Sequence, residues 1–370
     1  MKSGRVIKTA IFGVGNVASA LVQGVGHCRK LGDQAISLLL PDIDGYRPEH
    51  IEFVAAFDID RRKVGQPLSE AILAPPNCTR IFDEAKEFSG VIVSPGRILD
   101  GISESIRIEP PAHSFLPIGA SEEGTRASIV ETLRASGAKV AISFMPVGSQ
   151  QAVEFYAACA IEAGVAFVNA IPCLIASNPE WSARFAAAGL PVLGDDFKGQ
   201  VGATILHRTL VDLFKLRETE VDRSYQLNVG GNTDFLNMLT EERLVTKRLS
   251  KTESVQAAAS KRFADRNIRV GPSDYVPWLN DRKVAFVRLE GQLFGGAPIN
   301  IEVRLDVEDS PNAAVMALAA IRLARVALDR SVSGAVPDAC AFLFKHPPKQ
   351  MQDAEARNRL IAFIGKPTEI

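Results

Sequence analysis

The sequence predicts an α/β protein: a doubly wound parallel sheet that carries an inserted α+β region. Three observations predict it. Short apolar runs alternate with helix-like segments from residue 6 to about residue 200, which is the pattern of parallel strands joined by crossover helices. The first run leads into Gly13-Val14-Gly15-Asn16-Val17-Ala18, a G-x-G-x-x-A turn between a strand and a helix. After Gln200 the character changes to a long helix followed by longer extended segments, with helical stretches among them.

The first strand spans Val6 to Phe12, and its helix runs to about Arg29. In the turn between them the first glycine permits a tight bend and the second lets the backbone approach a pyrophosphate. The small third residue lets the helix pack on the strand, and the phosphate rests on the helix N-terminus. The turn is therefore read as a dinucleotide site, with a plain structural turn as the alternative. Ile51 to Phe57 is the second strand, closed by Asp58. An acid at that point accepts hydrogen bonds from ribose hydroxyls and repels a 2′-phosphate, which favours NAD over NADP. A capping or surface role is the other reading of Asp58. The segment Leu31 to Glu49, with Pro41, Gly45 and Pro48, is an inserted loop.

Further units follow. Val91 to Val93 and Lys139 to Met145 are strands, the latter ending at Pro146. A helix covers Gln150 to Ala163, a strand Val165 to Ala170, a helix the region of Trp181, and a strand Pro191 to Leu193. Ligands bind beyond the C-terminal ends of such strands, so Asp58, Pro146, Ala170 and Asp196 should line one crevice. The second region holds a helix with His207 and Arg208, then extended Tyr225–Val229, Val284–Glu290 and Ile299–Val307. Asn312 to Ser331 is a long amphipathic helix that returns to the first domain, with Arg322, Arg325 and Arg330 expected on a solvated face.

Composition limits the function. The chain has 370 residues, which at about 150 per domain means two or three domains. Hydrophobic residues make up 46% and charged residues 23%, a globular balance that excludes a disordered chain. Lys+Arg number 42 against 43 Asp+Glu, so the basic surplus of a nucleic-acid binder is missing. The longest apolar run, Ala313 to Ile321, falls short of the ~20 residues of a membrane span. Cys28, Cys78, Cys159, Cys173 and Cys340 form no C-x-x-C pair and the histidines no ligand spacing, so a reduced cytoplasmic protein without a bound metal is expected.

Several stretches carry candidate chemistry. Gly194-Asp195-Asp196-Phe197-Lys198-Gly199-Gln200 leads into a helix, an arrangement suited to a phosphate monoester or to an ordinary loop. Gly230-Gly231-Asn232-Thr233-Asp234 ends a strand. It reads either as a close approach to a ligand or as a turn capped by Asn232. Ser250-Lys251-Thr252-Glu253 is a capping box opening a helix to about Arg266. Lys247 and Lys251 at its positive end suggest that an anion supplies the missing charge. Lys283 and Lys345 abut apolar stretches; burial there would lower a lysine pKa toward proton transfer, unless the side chain snorkels to solvent.

Taken in order, Gly13-Val14-Gly15-Asn16, Phe53 to Asp58, Gly194 to Lys198 and Asn228 to Asn237 make a recognisable set. Gly271 to Asp274, Asp281-Arg282-Lys283, Leu289-Glu290-Gly291 and Asp309-Ser310-Pro311-Asn312 complete it. The chain closely resembles the myo-inositol-1-phosphate synthase family in its short prokaryotic form. The resemblance implies a Rossmann NAD-binding domain (1–200), an inserted α+β catalytic and tetramerisation domain (201–310), and a C-terminal return to the Rossmann domain (311–370). It implies an NAD-dependent, redox-neutral isomerase: a hexose 6-phosphate, by default D-glucose 6-phosphate, is oxidised at C5, enolised, closed by aldol addition and reduced to 1D-myo-inositol 3-phosphate. Fructose 6-phosphate closing to a five-membered ring, or a plain NAD dehydrogenase, are the alternatives. By motif, the catalytic residues are Lys247, Lys251, Lys283, Lys345, Asp234 and Asp309. NAD is held by Gly13, Gly15, Asn16, Val17, Asp58, Pro146, Ala170, Asp195 and Asp196. The substrate phosphate is held by Lys198, Gly199, Gln200, Gly230, Gly231 and Asn232. A homotetramer is expected, with no nucleic acid and no membrane as partners. Ala313 to Leu318 lacks the glycine and aspartate usual for the family, which bears on substrate identity.

Overall fold

Seven short strands build the first layer of the computed structural model, which describes residues 5–103, 106, 109–239 and 251–365. They are β1 (Ile7–Phe12), β2 (Ile51–Asp58), β3 (Val93–Pro95), β4 (Val140–Ser143), β5 (Ala166–Asn169), β6 (Pro191–Leu193) and, late in the chain, β11 (Gly334–Ala335). All pair in parallel in the order β11-β6-β5-β4-β1-β2-β3. The order reverses between β1 and β4, so a crevice opens beyond their C-terminal ends. Residues 7 and 11 of β1 face one core and residues 10 and 12 the other, as the two-residue period of a strand requires.

Helices cover both faces. α1 (Asn16–Leu31) starts straight from the glycine turn and carries Arg29 and Lys30 in its last turn, where they suit the helix dipole. α2 (Arg126–Ser136), α3 (Gln150–Ala163) and α4 (Pro179–Ala187) follow. α3 stops at Gly164, whose φ of 74° is the left-handed conformation that glycine adopts at a helix end.

The second layer begins with α5 (Ala203–Leu216) and β7 (Glu220–Gly230), then α6 (Thr233–Asn237), β8 (Ile268–Tyr275), β9 (Arg282–Gln292) and β10 (Pro298–Glu308). The four strands lie in the order β10-β9-β7-β8, with β9 antiparallel to its neighbours and β8 parallel to β7. β8 is not anticipated by the sequence, because Gly271-Pro272 interrupts its alternation and Ile268 and Val270 are its buried apolar residues. The helix expected to reach Arg266 is helical over 251–256 and then turns. One sheet face packs on Val211, Phe214, Val255 and Phe263. The other leaves Leu227 and Phe286, paired across β7 and β9, 39% and 42% exposed.

α7 (Asp309–Asp329) joins the layers. It leaves β10 directly and runs through the core against α1 and the parallel sheet. It is long and apolar enough to cross a membrane, yet most of it is buried inside the protein. The expectation that its arginines are all solvated fails at Arg322, which is fully buried. Its guanidinium donates to the carbonyls of Leu40 (2.6 Å), Pro41 (3.2 Å) and Leu39 (3.1 Å) in the inserted loop, and its Nε to Leu318 (2.8 Å). Loop carbonyls with no sheet partner need donors, and the five-donor fork supplies them. α8 (Pro337–Leu343) and α9 (Asp353–Ile364) complete the chain.

Arg322→Met removes these donors and keeps the apolar stem. We expect it to lower the unfolding free energy by about 3 kcal/mol, the cost of stranding buried acceptors. A urea melt with an unchanged midpoint would refute the clamp.

Candidate active site

The crevice at the strand reversal opens into a cavity between the two layers. Its floor is the glycine turn, with Gly15, Asn16 and Val17, and the loops after β4 (Phe144–Val147) and β5 (Ala170–Pro172). Its opposite wall comes from Gly199, the start of α5 (Gly202–Thr204), Asn232–Phe235, Lys251, Lys283, the start of α7 (Asp309–Ala313) and Lys345. Gly13 has φ of 88°, and a Cβ there would come 2.9 Å from the Phe144 carbonyl oxygen. A side chain at that position would force the turn off the sheet. A Cβ at Gly15 would meet nothing within 4 Å, so the turn presents open space to a ligand.

Two lysine–aspartate pairs line the cavity. Lys345 is placed by backbone pairing, since its N–H donates to the Asp196 carbonyl (2.7 Å). Its ammonium lies 2.7 Å from the Asp196 carboxylate. Asp196 has φ of 64°, a strained conformation for a residue with a side chain, of the kind that clusters at working sites. Lys283 stands at the start of β9, opposite Gly230 and Val307, and its ammonium is 3.2 Å from Asp309 at the head of α7. Burial alone would depress the Lys283 pKa, but the carboxylates of Asp309, Asp234 and Asp196 outweigh it and hold the pKa above the ordinary lysine value. The proton-transfer reading drawn from burial is therefore overturned for Lys283, which is a fixed cation at neutral pH. Lys251 is buried in the same wall, alongside Gly271.

Asp281 ties this wall together. Its carboxylate is buried and accepts from the Ser310 N–H (3.1 Å), the Ser310 hydroxyl (2.7 Å) and the Asn232 side chain (3.1 Å). Asn232 in turn caps α6 by accepting from the N–H groups of Asp234 (3.1 Å) and Phe235 (3.4 Å). Burial, reinforced by the charge of Asp309, pushes the Asp281 pKa up to about 6 against these hydrogen bonds.

Comparison with known proteins gives this geometry a family. The profile of the Myo-inositol-1-phosphate synthase family matches residues 202–310. The chain is 47% identical to inositol-3-phosphate synthase of Mycolicibacterium smegmatis, over 97% of this chain and 98% of that one. It is 46% identical to inositol-3-phosphate synthase of Corynebacterium glutamicum, with the same coverage. The chain belongs to the myo-inositol-1-phosphate synthase family. Among solved structures, Ari2 is 34% identical with a TM-score of 0.73 over 97% of this chain and 99% of that one. A myo-inositol-1-phosphate synthase-related protein from Thermotoga maritima, 24% identical, shares the fold with a TM-score of 0.77 over 98% and 100% of the two chains.

Set against the motif of the family, the structure brings Gly15, Asn16, Val17, Pro146, Ala170, Asp196, Gly199, Asn232, Asp234, Lys251, Lys283, Asp309 and Lys345 to one cavity. Gly13 and Asp58 lie just behind it. The Gly13 N–H donates to Phe57 (2.9 Å), and Asp58 Oδ2 accepts from the Val14 N–H (2.7 Å). Lys247 is outside the described residues.

Five expected contacts are corrected. Asp195 is fully buried and accepts from Asn169 (2.7 Å), the Ser177 hydroxyl (2.7 Å) and the N–H groups of Ile175, Ala176 and Ser177, so it shapes the β5 loop rather than facing the cavity. Lys198 is likewise buried, donating to the Ala341 carbonyl (2.7 Å) and to Asp353 (3.0 Å), which Arg208 also binds (2.6 Å). Its ammonium ties the start of α9 to α8, Arg208 ties it to α5, and burial depresses the Lys198 pKa to about 8. The Gln200 amide donates outward to the Ser37 carbonyl (2.8 Å). Gly230 and Gly231 leave room for the Phe235 ring and for the backbone at Val276 and Asn280, so they serve the turn that Asn232 caps. Sequence reasoning missed Thr204, Gln226 and Phe115 in the cavity wall. It also missed Asp281, although the Asp281-Arg282-Lys283 motif already contained it.

The raised Asp281 pKa has a measurable consequence. An acid whose pKa is raised on folding stabilises the fold while protonated, and this contribution is lost as pH rises from its ordinary 3.8 through about 6. The stability of Asp281→Asn relative to the parent should therefore climb across that interval and stay level on either side. Parallel stability–pH curves for the two proteins would exclude the shift.

Proposed function

We propose that this chain converts D-glucose 6-phosphate to 1D-myo-inositol 3-phosphate, using tightly held NAD that is regenerated in each turnover. The observation that carries the reading is the convergence of a glycine-turn cradle, two lysine–aspartate pairs and a helix start on one cavity. The relatives named inositol-3-phosphate synthase, covered over nearly their whole length, support the choice of substrate.

The residues fit NAD. The open face at Gly15 and the N-terminus of α1 suit a pyrophosphate. The two arginines after Asp58 bond to the protein itself. Arg61 donates to the Pro117 carbonyl (2.8 Å) and Arg62 to Asp60 (2.8 Å), Pro111 (2.6 Å) and Ser114 (2.7 Å). NAD bound in this cradle would supply the oxidising and then the reducing equivalent at C5. The start of α5, with Gly202, Ala203 and Thr204 in the wall, offers the substrate phosphate N–H groups that find no acceptor among the described residues, and Lys251 adds charge from the same wall. Loss of a proton at C6 places negative charge on the C5 oxygen, and attack on C1 places it on the former aldehyde oxygen. Lys283 and Lys345, held by Asp309 and Asp196 from separate elements, are preorganised cations for those oxygens. The uncovered face with Leu227 and Phe286 supports assembly into a homotetramer.

Incubation with NAD and glucose 6-phosphate deuterated at C5 tests the reading. The product should be a six-membered cyclitol phosphate with the label retained at that carbon and no net NADH. Stoichiometric NADH with an acyclic product would overturn cyclisation, and a five-membered product from fructose 6-phosphate would overturn the substrate. Lys283→Met and Lys345→Met should each lower turnover by about 10²–10³-fold, the usual loss on removing one preorganised donor, with NAD still bound by its absorbance. Near-normal rates in both would exclude the paired-cation mechanism.

A further inference from the structure

We propose that Lys63 is a positioning residue for the cofactor turn: its ammonium holds the Val14 carbonyl and thereby aims the Gly15 N–H into the cavity for a pyrophosphate oxygen. The inference rests on the reading of this turn as a NAD site.

Lys63 lies outside the cavity wall and is 1% exposed. Its Nζ donates to the Val14 carbonyl (2.7 Å) and to Asn77 Oδ1 (2.9 Å). Asn77 supports the same point, donating from Nδ2 to Val14 (3.1 Å) and to Ile72 (2.9 Å). On the other side of the residue, the Val14 N–H is held by Asp58 (2.7 Å). Val14 stands between Gly13 and Gly15, so the two peptide planes that meet at it have few steric restraints of their own. Asp58 fixes the first plane and Lys63 the second.

The second plane is the one that matters for binding. The Val14 carbonyl and the Gly15 N–H belong to one planar trans peptide and point in opposite directions. Drawing the carbonyl back onto Lys63 therefore turns the N–H forward, at a residue that lines the cavity. Among the described residues the Gly15 N–H finds no acceptor. A cation on the carbonyl also polarises the peptide and strengthens its N–H as a donor.

The choice of lysine is informative. Both atoms it bonds are neutral, so burying this ammonium is costly for folding alone. Burial depresses its pKa, and the charges of Asp58 and Asp60 oppose that. A positive charge immediately beneath a pyrophosphate turn recovers the cost when two phosphates bind above it.

Binding of NAD, ADP and adenosine to the full-length protein and to Lys63→Met tests the proposal, by calorimetry for the nucleotides and by ligand NMR for adenosine. NAD and ADP should lose about ten- to a hundredfold in affinity, the worth of one charge-assisted hydrogen bond, while adenosine is unaffected. Unchanged NAD affinity, or an equal loss for adenosine, would overturn it. Lys63→Gln, which keeps a donor and drops the charge, covers the case in which the methionine variant does not fold. It should bind NAD more weakly than the parent, and parental affinity would again refute the role. If the parent protein itself binds neither NAD nor ADP, the cofactor reading fails first and the proposal falls with it.

Discussion

The buried carboxylate of Asp281 is the interaction on which the site depends. It is bonded at once to the first turn of α7 and to the cap of α6. Those two elements carry Asp309 and Asp234. The backbone follows the same joint, since the Asp309 N–H donates to the Asp281 carbonyl (2.9 Å). Lys283 is two residues further along β9, so the cation and its carboxylate partner are both referenced to one buried group. α7 then runs into the core of the parallel sheet, and the rigidity of that packing is passed to the cavity wall.

The electrostatics of the cavity follow from this arrangement. Lysines withdrawn from water are unstable as cations unless carboxylates surround them. Here the carboxylates come from different elements: Asp196 from the end of β6, Asp309 from α7 and Asp234 from α6. The result is a Lys283 that remains charged, which suits the stabilisation of an oxyanion better than proton abstraction. A single lysine at a strand end, taken alone, invites the opposite reading. The difference lies in partners more than 20 residues distant in sequence.

Much of the fold is legible in the sequence because its signals are local. The Gly13-Val14-Gly15 turn, the helix over Gln150–Ala163 and the strand Pro191–Leu193 all follow from apolar periodicity and glycine placement. β8 is illegible because its apolar positions are few and Gly271-Pro272 breaks them. The inserted loop reads as a loop, but nothing in it announces that a buried arginine 282 residues away would gather its carbonyls. Arg322 itself sits at a helical spacing that suits a solvated face equally well.

The sequence by itself determined the alternation of strand and helix, the glycine-rich turn between β1 and α1, and the inventory of lysines and aspartates at the site. These rest on local backbone preference and on residue type. The tertiary structure alone decided which charges face the cavity. Lys198 and Lys345 each lie next to apolar residues, yet one is turned onto Asp353 behind α5 and the other onto Asp196 in the cavity. Asp195 and Asp196 are neighbours in sequence, and the left-handed backbone at Asp196 sends their side chains to different sides. Charge is a property of a residue, but its direction is set by the packing of elements far apart in the chain, and that information is spread over every contact of the core.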